Sequence, residues 1–340
     1  MVTFDDSLIP VEVQSAVIEA VTESSLALRL ASTQPMPTAA ETIPVLGSFP
    51  TAGWISTGGR KPTTTMNWTA LSLKAEEIAA TIDVPTAYID DAGFPLWESI
   101  QPRMVEALSV VIDEAVLFGV GAPASFPAGG VFANSTAVAL PTAPEDDIAG
   151  LFNAALSTVE EQGLNPTSHA ADVSTRGLLR GARTTTGDPL YVPAIAGGMP
   201  NTVYDLPILF SSGGQFDTTK AIDFTGDWTC LRIGIRQDVT VDQSAEAVLA
   251  DSTGKVLVSA FQDDKIIMRV HMRLGCVIGK PVTHKAPAGA EPWAHIPPGL
   301  VTSTGAQVAQ SQSPDGEPNE AELVGAGNGG NGGKTANGGK

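Results

Sequence analysis

Apolar residues recur at helical spacing over residues 95–118, the longest such run in the chain. Leu96, Ile100, Met104, Leu108, Ile112 and Val116 form an i, i+4 row, and Trp97, Val105, Val111 and Ala115 widen it into a stripe that predicts burial. Glu98, Arg103, Glu106, Asp113 and Glu114 take the other positions. The pattern predicts one long helix, bent near Ile100 and Gln101 because Pro102 lacks an N–H and its ring crowds the preceding turn. Gly119 and Gly121 suit the left-handed dihedrals that close a helix, and Pro123 and Pro127 stop its continuation. A phosphate cradle needs its glycines before a helix, at the N–H end. These follow it and meet the carbonyl end, which favours a C-cap.

The same period marks a second helix over 144–162, with Ile148, Leu151, Phe152, Ala155, Leu156 and Val159 on one face and Glu145, Asp146 and Asp147 in the first turn. Shorter helices are expected over 11–24, where Val13, Val17 and Val21 stand one turn apart behind Pro10, and over 174–183. From Ile266 the period changes to two. Ile266, Met268, Val270, Met272, Leu274, Cys276 and Ile278 alternate with Arg269, His271 and Arg273, which predicts a long half-buried strand. Further strands are expected over 43–49, 71–84, 133–140, 203–210 and 231–241. Residues 50–67 hold Gly53, Gly58, Gly59, Arg60, Lys61 and Pro62, with Trp54 and Trp68 towards the two ends. A structureless loop of that length in a compact fold usually meets a partner, so a long projecting hairpin is expected. Beyond Pro281 prolines and small polar residues dominate, and 287–340 is expected to be a flexible tail.

Composition narrows the function. A chain of 340 residues with 43% hydrophobic content can bury a large core. A formal net charge of −18 argues against tight, non-specific binding of nucleic acid, because Lys and Arg must neutralise phosphates for that. The first residues lack the basic start and apolar core of a signal peptide, and Asp113 and Glu114 interrupt the most hydrophobic helix, so no membrane span is expected. Cys230 and Cys276 are too far apart for a CxxC and read as buried thiols. His169, His271, His284 and His295 show no metal-ligand spacing and read as solvated or partly buried. Asp90-Asp91 and Asp263-Asp264 are adjacent carboxylates that read as turns or loop ends, not an acid/base dyad. No cofactor, metal or catalytic residue is expected. Arg60 and Lys61 are different: a positive tip on a projecting loop of an acidic protein offers a contact for the acidic surface of an identical neighbour.

The order of parts resembles one family, the major capsid proteins of tailed bacteriophages with the Hong Kong 97-type fold. The resemblance spans about residues 8–282. It rests on Leu8-Ile-Pro and the arm ending in Glu23-Ser24, Ala52-Gly-Trp-Ile in the hairpin, and Asp113-Glu-Ala-Val-Leu-Phe-Gly119. It continues through Pro127-Ala-Gly-Gly-Val, Gly226-Asp-Trp, Gly234-Ile-Arg, and Phe261-Gln-Asp-Asp leading into Arg269. Thr57 stands where the family often has a glutamate. The resemblance implies an α+β subunit with an N-terminal arm (1–42), an extended hairpin region (43–84) and a peripheral domain with a spine helix (85–143). It further implies an axial domain (144–240), returning peripheral strands (241–286) and the tail (287–340). The implied function is self-assembly into pentamers and hexamers of an icosahedral head shell enclosing double-stranded DNA without tight binding, in a virion built in the host cytoplasm. Scaffold, portal and decoration proteins are the further partners it implies. Val13, Val17, Val21, Trp54, Arg60, Lys61 and Trp68 are the expected subunit-interface residues. The alternative is an encapsulin-like nanocompartment, which shares the fold and encloses cargo enzymes.

Overall fold

The chain first forms a short helix, α1 (Leu26–Leu30), and a strand, β1 (Ser32–Pro35). The computed structural model describes residues 25–91, 96–139, 148–181 and 202–298, so the stripe of Val13, Val17 and Val21 lies outside the described residues. Strands β2 (Ala40–Leu46) and β3 (Trp68–Lys74) flank the projecting loop, and β4 (Glu76–Pro85), α2 (Thr86–Asp91) and the long helix α3 (Leu96–Phe118) follow. Next come α4 (Gly130–Ala133), β5 (Ser135–Ala137), α5 (Ile148–Glu161), β6 (Ser168–Asp172), α6 (Thr175–Gly181), β7 (Thr202–Val203), β8 (Leu206–Ser211) and β9 (Asp223–Gly226). The chain continues with β10 (Leu231–Ser244), β11 (Val248–Ala250), β12 (Val256–Ser259), β13 (Lys265–Ile278) and β14 (Trp293–Ile296), giving a mixed α+β architecture.

A four-stranded sheet in the order β1-β10-β13-β4 carries the period-two strand at its centre. Met268, Val270, Met272, Leu274 and Cys276 of β13 enter one apolar cluster with Met104, Leu108, Ile112 and Val116 of α3, so the helix stripe and the strand face cover each other. The half-buried alternation holds over the middle of β13, from Met268 to Leu274, whereas Ile267 before it is buried on the opposite face. Towards its end Gly275 and Val277 on the opposite face are also buried. Gly234 and Gly275 face each other across β10 and β13, and Met36 and Leu73 pack onto them. A Cβ at Gly234 would sit 2.5 Å from Met36 Sδ, and one at Gly275 2.5 Å from the Lys74 carbonyl oxygen. Two side chains are missing so that another segment can lie flat on the sheet.

Helix α3 forms over the expected stretch, with Pro102 inside it, and is followed by Gly119 (φ 66°) and Gly121 (φ 64°). Its C-cap is locked by close backbone approach, since a Cβ on Gly119 would fall 2.6 Å from Gly129 Cα. The boundary of its buried face differs from expectation. Val111 is exposed, whereas Asp113 is fully buried together with Val105 and Ser109 of the same i, i+4 row. The buried face includes a polar row because α1 packs against it with its own polar groups, described below.

The second sheet has six strands in the order β5-β14-β9-β6-β8-β7, with α5 packed against β14 and β9 through Phe152 and its neighbours. Here the tail expectation fails for its first residues. β14 lies between β5 and β9, Trp293, Ala294 and Ile296 are buried, and the Trp228 ring packs tilted against Trp293 with centroids 5.8 Å apart. Four residues are enough for a central strand, and the surrounding prolines and glycines mask so short a signal.

Other boundaries shift for local reasons. The expected strand 203–210 is a tight hairpin: Tyr204 (φ 47°) and Asp205 (φ 64°) form a two-residue turn between β7 and β8. The expected strand 71–84 breaks at Ala75 into strands of two different sheets, and 43–49 is Ala40–Leu46. Among the described residues of 133–140, Ser135–Ala137 is strand, preceded by α4. The boundary expected at residue 240 falls inside the continuous strand β10.

Candidate assembly surfaces

The hairpin is built from its root outward. β2 and β3 pair from Ala40↔Lys74 to Leu46↔Trp68. Pairing continues through Gly47 N–H donating to the Asn67 carbonyl (2.8 Å), Asn67 N–H to Ser48 Oγ (3.1 Å) and Thr51 N–H to Thr64 Oγ1 (2.9 Å). The tip turns where Gly59 N–H donates to the Ser56 carbonyl at 2.8 Å, next to Gly58 at φ 84°. The root is seated: Leu73 is buried on the paired glycines, and Phe49 stacks on His284 with ring centroids 4.6 Å apart. A cleft of about 380 Å³ between the root and the body is lined by Val45, Leu71, Pro127, Asn134, Ile278 and Lys280. The tip is bare. Trp54 is 107% exposed relative to the reference residue and Trp68 62%, with Ile55, Met66, Arg60 and Lys61 also exposed. The structure thus brings four of the expected interface residues, Trp54, Arg60, Lys61 and Trp68, onto one projection.

Where the described chain begins, a polar latch that the sequence reading missed ties α1 to α3. The buried Asp113 carboxylate accepts from Ser25 Oγ (2.7 Å) and Ala27 N–H (2.9 Å) on Oδ1, and from Leu26 N–H (2.9 Å) and Gln215 Nε2 (3.0 Å) on Oδ2. Ser25 Oγ in turn accepts from Leu28 N–H at 3.2 Å, so the free N–H groups that open α1 are satisfied by one serine and one distant acid. Burial raises the Asp113 carboxyl above the usual range, opposed by these hydrogen bonds. The available signal was an acid one step from Ile112 on an otherwise apolar surface.

The remaining polar groups are structural in their surroundings. Of the histidines expected to be solvated or partly buried, His169 and His295 are buried. His169 Nδ1 lies 2.7 Å from Thr225 Oγ1, and that hydroxyl is 2.6 Å from Asp223 Oδ2. His295 Nδ1 lies 2.8 Å from Ser135 Oγ, and burial lowers its pKa. Cys276 is buried and Cys230 partly so; burial pushes both thiols up to about 12, which keeps them protonated and unreactive. Asp263 accepts from Ser259 N–H at 3.0 Å, and Asp264 (φ 49°) completes that turn. Asp90 and Asp91 close α2, and their side chains lie outside the described residues. Among the described residues no three metal-capable side chains converge, and no helix is long and apolar enough to cross a membrane.

The arrangement is a body with latched interior and bare projections, and comparison with known proteins gives its class. The model of the phage capsid family matches residues 6–283, and the chain belongs to that family. The major capsid protein of Staphylococcus phage 80alpha is 21% identical over 269 residues, covering 77% of this chain and 79% of that one. A solved structure from Microbacterium phage Oxtober96 superposes with a TM-score of 0.69 at 26% identity, covering 87% of this chain and 95% of that one. One from Mycobacterium phage Cain shares the fold with a TM-score of 0.71 at 23% identity, covering 87% and 94%. The function is that of a phage major capsid protein, a structural subunit repeated in many copies to form the head shell of the virion. The family is not an enzyme class, and the matches name phage proteins in place of the encapsulin-like alternative.

Proposed function

We propose that this subunit assembles as pentamers and hexamers closing into an icosahedral shell around double-stranded DNA. The observation that carries the reading is the hairpin: its root is packed on the body while Trp54 and Trp68 stand uncovered at its outer part. A monomer has no use for exposed indoles, and a symmetric shell supplies identical neighbours to cover them. In the Hong Kong 97-type plan the hairpin of residues 40–74 is the extended loop. The helix α3 with the four-stranded sheet is the spine and peripheral domain, and the six-stranded sheet with α5 is the axial domain. Val13, Val17 and Val21 belong to an arm whose stripe meets a neighbour, and Arg60 and Lys61 add polar contacts at the hairpin tip. The net charge of −18 favours a wall that encloses DNA with little grip on it. Assembly takes place in the host cytoplasm with scaffold, portal and decoration proteins as further partners. Negative-stain electron microscopy of the chain, produced alone and with the phage's own assembly proteins, tests the reading. Closed hollow particles with fivefold and sixfold capsomers are expected, and monomers or dimers alone under both conditions would contradict it.

A further inference from the structure

Several acids of this chain cap turns from within their own segment. Asp172, Asp217, Asp227 and Asp251 each accept from a backbone N–H two residues on, that of Ser174 (2.8 Å), Thr219 (3.0 Å), Thr229 (3.0 Å) and Thr253 (2.8 Å). Such bonds hold local shape and tie the turn to nothing else. Asp113 differs, because its partners on α1 lie 86 to 88 residues away. α1 already has a local cap in Ser25 Oγ, which accepts from Leu28 N–H, and Leu26, Ala27 and Leu28 bury it on the body. Asp113 is fully buried, its four partners are all neutral, and burial works against its charge. An acid is a costly means of holding a helix that is already capped and buried. What it adds is a fixed direction.

The direction is set at the three residues that adjoin the arm. Asp113 Oδ1 takes Ser25 Oγ and Ala27 N–H while Oδ2 takes Leu26 N–H, so both oxygens grip the start of α1 and it cannot turn about a single bond. Gln215 Nε2 braces Oδ2 from the β8–β9 connection. Gln215 is itself buried, and Phe216 beside it packs edge-on against Phe118 of α3 with centroids 5.4 Å apart. α3 and the β8–β9 connection thus form one mount for the first turn of α1. Five residues are too few for α1 to keep a direction of its own. Ser25 is extended (φ −77°, ψ 121°), so the chain before it leaves the helix axis at an angle that the mount sets.

We infer that Asp113, braced by Gln215, is the positioning residue of the N-terminal arm, fixing the direction in which residues 1–24 leave the subunit. The inference rests on reading the arm as an intersubunit contact and adds the device that aims it. A segment that leaves from a fixed mount loses less conformational freedom on docking than one that swings from a free hinge. The latch therefore acts on assembly through the arm, beyond what it does for the stability of the subunit.

The test uses the full chain carrying pairs of spin labels, read by pulsed electron paramagnetic resonance. Both native thiols are shielded and held protonated, so introduced cysteines take the label. Ala20→Cys with Ala107→Cys, an exposed site on α3, reports the arm against the body; Ala107→Cys with Asn153→Cys, exposed on α5, reports the body alone. The arm pair should give a narrow distance distribution that broadens in D113N, and to a smaller extent in S25A, while the body pair stays unchanged. In D113N the subunit concentration needed for half-assembly should rise on the order of tenfold, as freeing one or two backbone residues at the hinge would produce. An arm pair as broad without the substitutions as with them, or a body pair that broadens alongside it, would overturn the inference. A broadened arm pair with unchanged assembly would uphold the positioning role and remove the arm from the assembly reading. Should D113N fail to fold, S25A decides on the same readouts.

Discussion

Two long antiparallel pairs in this subunit have the same backbone design and opposite fates. β10 and β13 pair over most of their 14 residues, bury an alternating row of Val, Ile, Leu and Met against α3, and accept the hairpin root on the other side. β2 and β3 pair over seven positions with only Leu73 fully buried. The first pair is stabilised within its own chain. The second is stabilised at one end only and leaves the rest exposed. The difference lies in side chains and not in the backbone ladders: β2 and β3 pair without a break while the β10–β13 ladder shifts register around Gln237, so a projecting hairpin can be well formed and still leave most of its surface unburied.

Removing internal support should have the largest effect. Truncation after Ala286 deletes β14 from between β5 and β9 and exposes the edges of both, together with the apolar groups that Trp293 and Ile296 cover. Loss of a buried Trp alone is of the order of 3–5 kcal/mol, so the truncated chain is expected to be unfolded by circular dichroism. Truncation after Pro298 keeps every described element and should preserve cooperative melting; loss of folding there would mean that residues 299–340 carry part of the core.

The Asp113 latch comes next. D113A leaves four donors facing an empty site and is expected to destabilise the subunit by about 4 kcal/mol, roughly a 6 °C fall in melting temperature for a unit of this size. D113N restores the volume but turns an amide N–H₂ towards donors, and about half that loss is expected. Equal melting temperatures for the unmodified chain and both variants would remove the latch from the account.

Acid separates buried from exposed carboxylates. Lys265 holds the Asp83 carboxyl below its usual range, and Thr219 with Lys220 does the same for Asp217. Stability from such groups is present above the unfolded pKa of about 4 and is lost as pH falls through the lower folded value. Asp113 has the opposite sign. Its folded pKa is raised by burial, so its unfavourable contribution is complete above that value and is relieved on acidification. Melting temperature should therefore fall more in D113N than in the unmodified chain between pH 7 and about pH 4, and less in K265M than in the unmodified chain as the pH drops below about 4. The reverse order would show that the signs are misassigned.

Legibility in the sequence followed the amount of pattern available. Helices α3 and α5 and strand β13 were readable because each repeats its period over many residues, and the hairpin because Gly, Pro and Thr fill a stretch too long for a tight turn. β14 was not, because four residues cannot display a period. Asp113 read as solvent-facing because a single polar residue on a helix normally does; its burial depends on donors from Ser25 and Gln215, 88 and 102 residues away. Val111 shows the converse, an apolar residue that the helix geometry leaves outside. Gly275 in a strand of large side chains carried a readable sign of close approach, though not of what approaches.

The smallest effect on the subunit should accompany the largest effect on assembly. W54A and W68A remove exposed indoles and should change the melting temperature of the isolated subunit by no more than about 0.5 kcal/mol would, while lowering the yield of closed particles severalfold. A destabilised subunit would place these residues in the chain's own core.

The central claim is that the hairpin is covered by a neighbour in the shell, and oxidative footprinting of Trp54 reads this directly. In the free subunit the indole is bare and should label as fast as a model peptide. In assembled particles the labelling should drop by an order of magnitude or more, as expected for a side chain withdrawn from water at an interface core. Equal labelling in free subunits and closed shells would contradict the account.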